Sequence, residues 1–247
     1  MRDNRGFTLV EMLIVVPIFV LIVMIMFGIL IDRYGEVVRE NARVNLLIEA
    51  QSLLLTIEDE VLFADEFKSS KDSNLTDNYA PSGGWDNDTD PDTLIIRETA
   101  LTHDRRDPDR DFVRYPHPSN GCSQDYSIAY DNLIYFTVDN SDDDYRTLYK
   151  RTLVPDTGSV CQTNYKGHSC PEANLGTGVC ARRDALFSQN VVDFEVLYFD
   201  ENGNSIDDEN GGSPSQAERV TVTLTLGDIA YGDTIQESAS ITMKKIN

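Results

Sequence analysis

Cations and histidines are scarce in this chain. Its 247 residues include 21 Lys or Arg against 42 Asp or Glu, for a net charge of −21. A surface of that sign is soluble and lacks the basic patch that DNA binding by charge requires. The only histidines are His103, His117 and His168, and none falls in H-E-x-x-H. G-x-S-x-G and the P-loop are missing too, so the sequence supports no enzyme class. An ordinary secretory signal is also lacking. Such signals carry about 7–15 apolar residues followed by a small-residue cleavage site, whereas here the apolar run is longer and the small residue, Gly6, stands in front of it.

What is present begins with that run. A polar leader, residues 1–6, carries Arg2 and Arg5, and an apolar stretch follows from Phe7 to Ile31 and stops at Asp32. At about 1.5 Å rise per residue, a helix of this length spans the roughly 30 Å hydrocarbon core of a bilayer. The basic leader ahead of an acidic bulk predicts an N-terminus in the cytoplasm and an exported C-terminal region. Glu11 is the anomaly in the run. A carboxylate there costs about 3 kcal/mol on insertion scales and calls for a partner. Cleavage after Gly6 would supply one, because Phe7 would gain an α-amino group roughly one helical turn away.

Gly6-Phe7-Thr8-Leu9-Val10-Glu11 resembles the N-terminus of type IV prepilins, found in pilins and in the pseudopilins of type II secretion. The resemblance implies cleavage between Gly6 and Phe7 by a prepilin peptidase and N-methylation of Phe7. It also implies that Glu11 pairs with the amine of a neighbouring subunit during assembly. The implied partners are other pilin or pseudopilin subunits through the N-terminal helix, the peptidase and an inner-membrane assembly platform, with no direct nucleic-acid binding. The implied location is single-pass in the cytoplasmic membrane with an extracytoplasmic head, and the cell-surface filament after assembly. Pro17 departs from the family pattern, in which many pilins carry a proline further along. It predicts a kink or a released backbone bond inside the run.

The expected fold class is α+β: a pilin fold with a long N-terminal helix, part transmembrane and part amphipathic, packed on an antiparallel β-sheet domain with long loops. The expected divisions are a leader at 1–6, a membrane or filament-core helix at 7–31, an amphipathic continuation at 32–66 and a β-rich head at 67–247. Leu47, Ala50, Leu54, Ile57 and Val61 supply the amphipathic stripe. Strands are expected at Thr93–Arg97, at Asp131–Val138 and Arg146–Leu153 as a hairpin, at Val191–Phe199, at the strictly alternating Arg219–Leu226 and at Glu237–Met243. The order of segments from Phe194 to Leu224 is similar to the C-terminal half of J-type minor pseudopilins and their pilus counterparts. Between the strands, Asp104–Asp111 reads as a self-neutralising surface loop.

Four cysteines, Cys122, Cys161, Cys170 and Cys180, in an exported chain favour disulfides over zinc at Cys161, His168, Cys170 and Cys180, since no C-x₂-C element is present. Three connectivities are possible, and Cys170–Cys180 with Cys122–Cys161 is preferred. No cofactor is expected. A weak calcium candidate is the loop bearing Asp200, Asn202, Asn204 and Asp207, which offers oxygens at alternate positions but misses the EF-hand template. These features together predict a non-enzymatic minor pilin or pseudopilin that helps to initiate or cap a type IV pilus or secretion filament. The alternatives are a major pilin, a tip adhesin or a membrane-anchored extracytoplasmic domain unrelated to filaments.

Overall fold

One helix dominates the computed structural model, which describes residues 9–86, 92–103, 105–123, 126–140, 145–156, 158–162, 165–176, 180–206 and 212–246. Helix α1, Leu9–Val61, has 53 residues and is therefore about 80 Å long. It stays helical through Pro17. Its two halves have different surroundings. From Leu9 to Ile31 the large apolar side chains point outward, whereas Leu46, Ala50, Leu54, Ile57 and Val61 are buried. The buried positions recur every three or four residues, so they line one side of a 3.6-residue helix.

That stripe packs on an antiparallel sheet. Its strands are β1 (Ala64–Lys68), β2 (Leu94–Thr99), β3 (Tyr130–Asp139), β4 (Arg146–Leu153), β7 (Ala185–Phe199), β9 (Arg219–Ala230) and β10 (Asp233–Lys244), hydrogen-bonded in that order. A short β8 (Ser205–Ile206) adds to β7, and β5 (His168–Cys170) pairs with β6 (Cys180–Arg183) in a separate parallel pair. The fold is α+β, with α1 laid across β9 and β10. Arg39 pairs with Asp233 and Arg43 with Glu237, while the Ile246 N–H donates to the Leu62 carbonyl. Strand β10 therefore runs alongside α1 in the same direction.

The sheet is covered on both faces. On one, α1 closes a core that includes Phe67, Leu94, Tyr135, Phe194, Val222 and Leu224. On the other, the segment between β1 and β2 folds back, and Leu75 and Trp85 cover Ile95, Ile134, Phe136 and Leu153. This explains why β3 is buried at six consecutive positions instead of alternating, as a strand covered on both faces does. Trp85 thus belongs to a second core, not to a surface contact.

Several expectations need correction. The helix ends at Val61, not near residue 66, because Ala64 and Phe67 turn inward as part of β1 and pair with β2. The stripe uses Leu46 where Leu47 was expected; Leu47 is only half-buried. The expected hairpin β3–β4 is present, closing at Asp139 opposite Arg146. Strand β7 begins six residues earlier than expected, and β1, β5, β6 and β8 were not anticipated. The described part of the 104–111 loop sends cations beyond the loop, and Asp104 lies outside the described residues. Arg105 pairs with Glu98 and donates to the Asp59 carbonyl, and Arg106 reaches the Asp59 carboxylate. The cause lies in α1, whose last turn carries no basic residue. Carboxylates at the negative end of a helix dipole need cations from elsewhere.

Truncating Ile57, which is fully buried between α1 and the sheet, should cost about 2–5 kcal/mol, whereas Leu47→Ala should cost much less. Chemical denaturation of the detergent-solubilised full chain, followed by far-UV circular dichroism, checks the difference.

Candidate functional site

The largest chemical feature is the bare half of α1. Leu9 is 80% exposed, Phe19 64% and Ile31 56%. The segment is long and apolar enough to cross a membrane, with none of it buried against the head. This is compatible with a single-pass anchor carrying a soluble head. Glu11 lies in the first turn of α1, on its exposed surface. Gly6 and Phe7 lie outside the described residues.

The bare half meets the head at Gly35. A Cβ there would sit 2.7 Å from the Tyr231 ring, so only glycine leaves room for the contact. Tyr231 and Gly232 both take positive φ, 55° and 84°, the conformation of a two-residue type I′ turn. This turn joins β9 to β10 with Ala230 opposite Asp233. Arg39 donates to Asp233 at 2.5 Å and lies 5.9 Å from the centre of the Tyr231 ring. A tyrosine in the left-handed region is strained, and the two contacts to the helix hold it there. The sequence carried a signal for this clasp in the Tyr-Gly turn between two alternating strands, but nothing pointed from it to Gly35.

The cysteines form two disulfides, Cys122–Cys161 and Cys170–Cys180. The three cysteines weighed for zinc are thereby split between two cross-links, and their sulfurs are not free thiolates. The Cys170–Cys180 bridge ties β5 to β6 beside a buried ionic cluster. Arg151 is 3% exposed. It donates to Asp184 at 2.6 and 3.1 Å, to the Tyr79 carbonyl at 2.8 Å and to Asp77 at 3.2 Å. Burial alone would lower its pKa, but the bonds to Asp184 and Asp77 outweigh burial and raise it. Trp85 Nε1 also donates to Asp77, at 2.6 Å. The cluster fastens the β1–β2 segment to β4 and β6, and it forms the floor of a cleft of about 870 Å³ walled by Tyr79, Tyr149 and Leu186. No pattern in the sequence brings Asp77, Arg151 and Asp184 together.

A second ionic group closes the end of α1. Glu60 accepts from Lys150 at 2.5 Å and from the Tyr135 hydroxyl. Burial first, and then the Glu60 charge, push the Tyr135 pKa well up. Nearby, the buried Asp131 accepts from Tyr165 and, at 3.1 Å, from Lys166. Burial raises its pKa against the opposing pull of Lys166.

Among the calcium candidates, Asp200 accepts from both nitrogens of Asn204 at 2.8 Å. Those bonds lower its pKa and make a local turn between β7 and β8. Asn202 and Asn204 are exposed, and Asp207 lies outside the described residues. No group of three or more metal-ligating His, Cys, Asp or Glu side chains occurs among the described residues.

No protein-family model, curated protein or solved structure matches the chain.

His168 gives the head a titration that can be measured. It is buried and accepts at Nδ1 from the Val154 N–H at 3.3 Å. Burial lowers its pKa, with Asp156, 3.7 Å from Nε2, opposing the shift. A histidine with a lowered folded pKa binds fewer protons folded than unfolded, so stability rises with pH across that window and is lost on acidification below about 6.5. The thermal midpoint of the full chain should therefore fall between about pH 6.5 and 5.5. A His168→Asn variant should lack that slope.

Proposed function

We propose that the chain is a pilin-like structural subunit, cleaved between Gly6 and Phe7, which acts without catalysis in a type IV pilus or a related type II secretion filament. The observation that carries this reading is the double character of α1. One uninterrupted helix has a bare apolar half that starts around Glu11 and a second half fastened to a rigid antiparallel head. So much exposed apolar surface does not persist in water. It needs lipid before assembly and the helices of other subunits afterwards. A subunit that passes from the membrane into a filament core meets both needs with the same residues.

Glu11 gives this transfer a direction. In a low-dielectric core its carboxylate is costly unless a cation meets it. The α-amino group of Phe7 in an adjacent subunit is such a cation, and pairing fixes the axial step between neighbours. A minor role, initiating or capping assembly, is supported by the length of the chain and by the similarity of residues 194–224 to J-type subunits.

Breaking a buried ion pair costs about 3–5 kcal/mol. Glu11→Gln should therefore lower incorporation into filaments by more than about tenfold while leaving the protein in the membrane. Quantitative mass spectrometry of sheared surface filaments checks both this and the role. A trace component beginning with N-methylated Phe7 is the expected result. Abundance equal to the main subunit would make it a major pilin, and an intact Met1 confined to the membrane would overturn the filament reading.

A further inference from the structure

The β9–β10 hairpin extends beyond the rest of the sheet. Pairing between β7 and β9 stops at Val191 opposite Leu226, whereas β9 and β10 continue together to Ala230 opposite Asp233. Beyond Gly227, which lies against Tyr145 and Val192, the ribbon runs along α1, and its tip is held at the level of Gly35 by the Tyr231 ring. Yet the tip is not apolar toward the helix only. Ile229 is 66% exposed and Tyr231 52%, and beside them on α1 Tyr34 is 67% exposed.

The level of the tip identifies its surroundings. The apolar run of α1 ends at Ile31, four residues before Gly35, or about 6 Å along the axis. The polar headgroup layer on each side of a bilayer is about 5–8 Å thick, and tyrosines concentrate there with their rings among the headgroups. Several charges at this level are engaged, while Asp32 is exposed at the end of the apolar run. Asp233 is paired with Arg39 at 2.5 Å, Arg33 with Glu36 at 2.7 Å, and Asp228 accepts from the Ile229 N–H at 2.7 Å. The apolar side chains are thus left to face the layer.

We propose that the Ile229–Tyr231 tip, with Tyr34, is a membrane-surface anchor that seats the head in the lipid headgroup layer. The proposal rests on the reading of Leu9–Ile31 as a membrane span. The ligand is the bilayer interface itself, recognised by one branched aliphatic and two amphipathic aromatic side chains and not by a charged pocket. Because Tyr231 is locked to Gly35, an anchored tip also fixes how the helix leaves the membrane.

The test uses the full chain in phosphatidylethanolamine–phosphatidylglycerol vesicles. Ile229→Trp and Phe19→Trp are introduced separately at exposed positions. Emission is compared with the parent, whose buried Trp85 (5% exposed) supplies the background. With nitroxide on the lipid headgroup, Ile229→Trp should show a blue-shifted and quenched signal that the parent lacks. With bromine deep in the acyl chains, Phe19→Trp should be quenched. Quenching of Phe19→Trp without any change for Ile229→Trp would overturn the anchor and leave the membrane span standing. Loss of both would overturn the span as well. A blue shift of Ile229→Trp that grows with protein concentration and ignores the nitroxide would replace the lipid by a second copy of the chain.

Discussion

Everything in this molecule depends on α1 being continuous from a bare apolar half into the half that carries the head. Its first half has no protein to pack against and its second half is the spine of the head, so the helix cannot satisfy both by bending back on itself. The stripe Leu46, Ala50, Leu54, Ile57 and Val61 decides where the change occurs. These residues close the core between α1 and the sheet, at about 25 cal/mol per Å² of apolar area removed from water. Above Asp32 that burial organises the sheet; below it, the same kind of side chain is left outward. The head is therefore built around half of a helix whose other half it leaves bare.

The sequence revealed the elements governed by local periodicity and concealed those governed by distant pairing. The apolar run, the amphipathic stripe, the β3–β4 hairpin and the strictly alternating β9 all follow from spacing, and the structure has them. The helix end was misjudged because Leu62 to Glu66 continues a helix-compatible pattern. What stops it is tertiary: Ala64 and Phe67 are buried in the main core, Phe67 against Tyr198, and Ile246 takes up the Leu62 carbonyl. The choice of Leu46 over Leu47 is a matter of helix phase by one residue, which only the position of the sheet decides. Strands β5 and β6 are three and four residues long, too short to carry a period.

The site was legible to a different degree. Glu11 is conspicuous because a lone carboxylate breaks an apolar run, and chemistry alone marks it. The clasp at Gly35 is silent in sequence, since a helical glycine gains its meaning from a tyrosine far along the chain. The Arg151 cluster is equally silent: its carboxylates come from a loop and from the end of β6, joined only by folding. Such buried ionic groups contribute little net stability compared with apolar packing. Their effect is to fasten the β1–β2 segment over the outer face of the sheet, which turns β3 into a strand with two cores.

The parallel course of β10 and α1 has a mechanical consequence. Arg39 and Arg43 join the helix to Asp233 and Glu237 at one end of β10, and Leu62 is joined to Ile246 beyond the other. A pull along the axis of α1 is thus handed to β10 lengthwise. Between β10 and β9 lies an unbroken register from Asp233 opposite Ala230 to Lys244 opposite Arg219. Traction in that direction loads the whole ladder in shear, all rungs together, and does not open it one rung at a time from an end. The head is attached to its stem in the geometry of a lap joint, with the grain of the sheet running along the line of force.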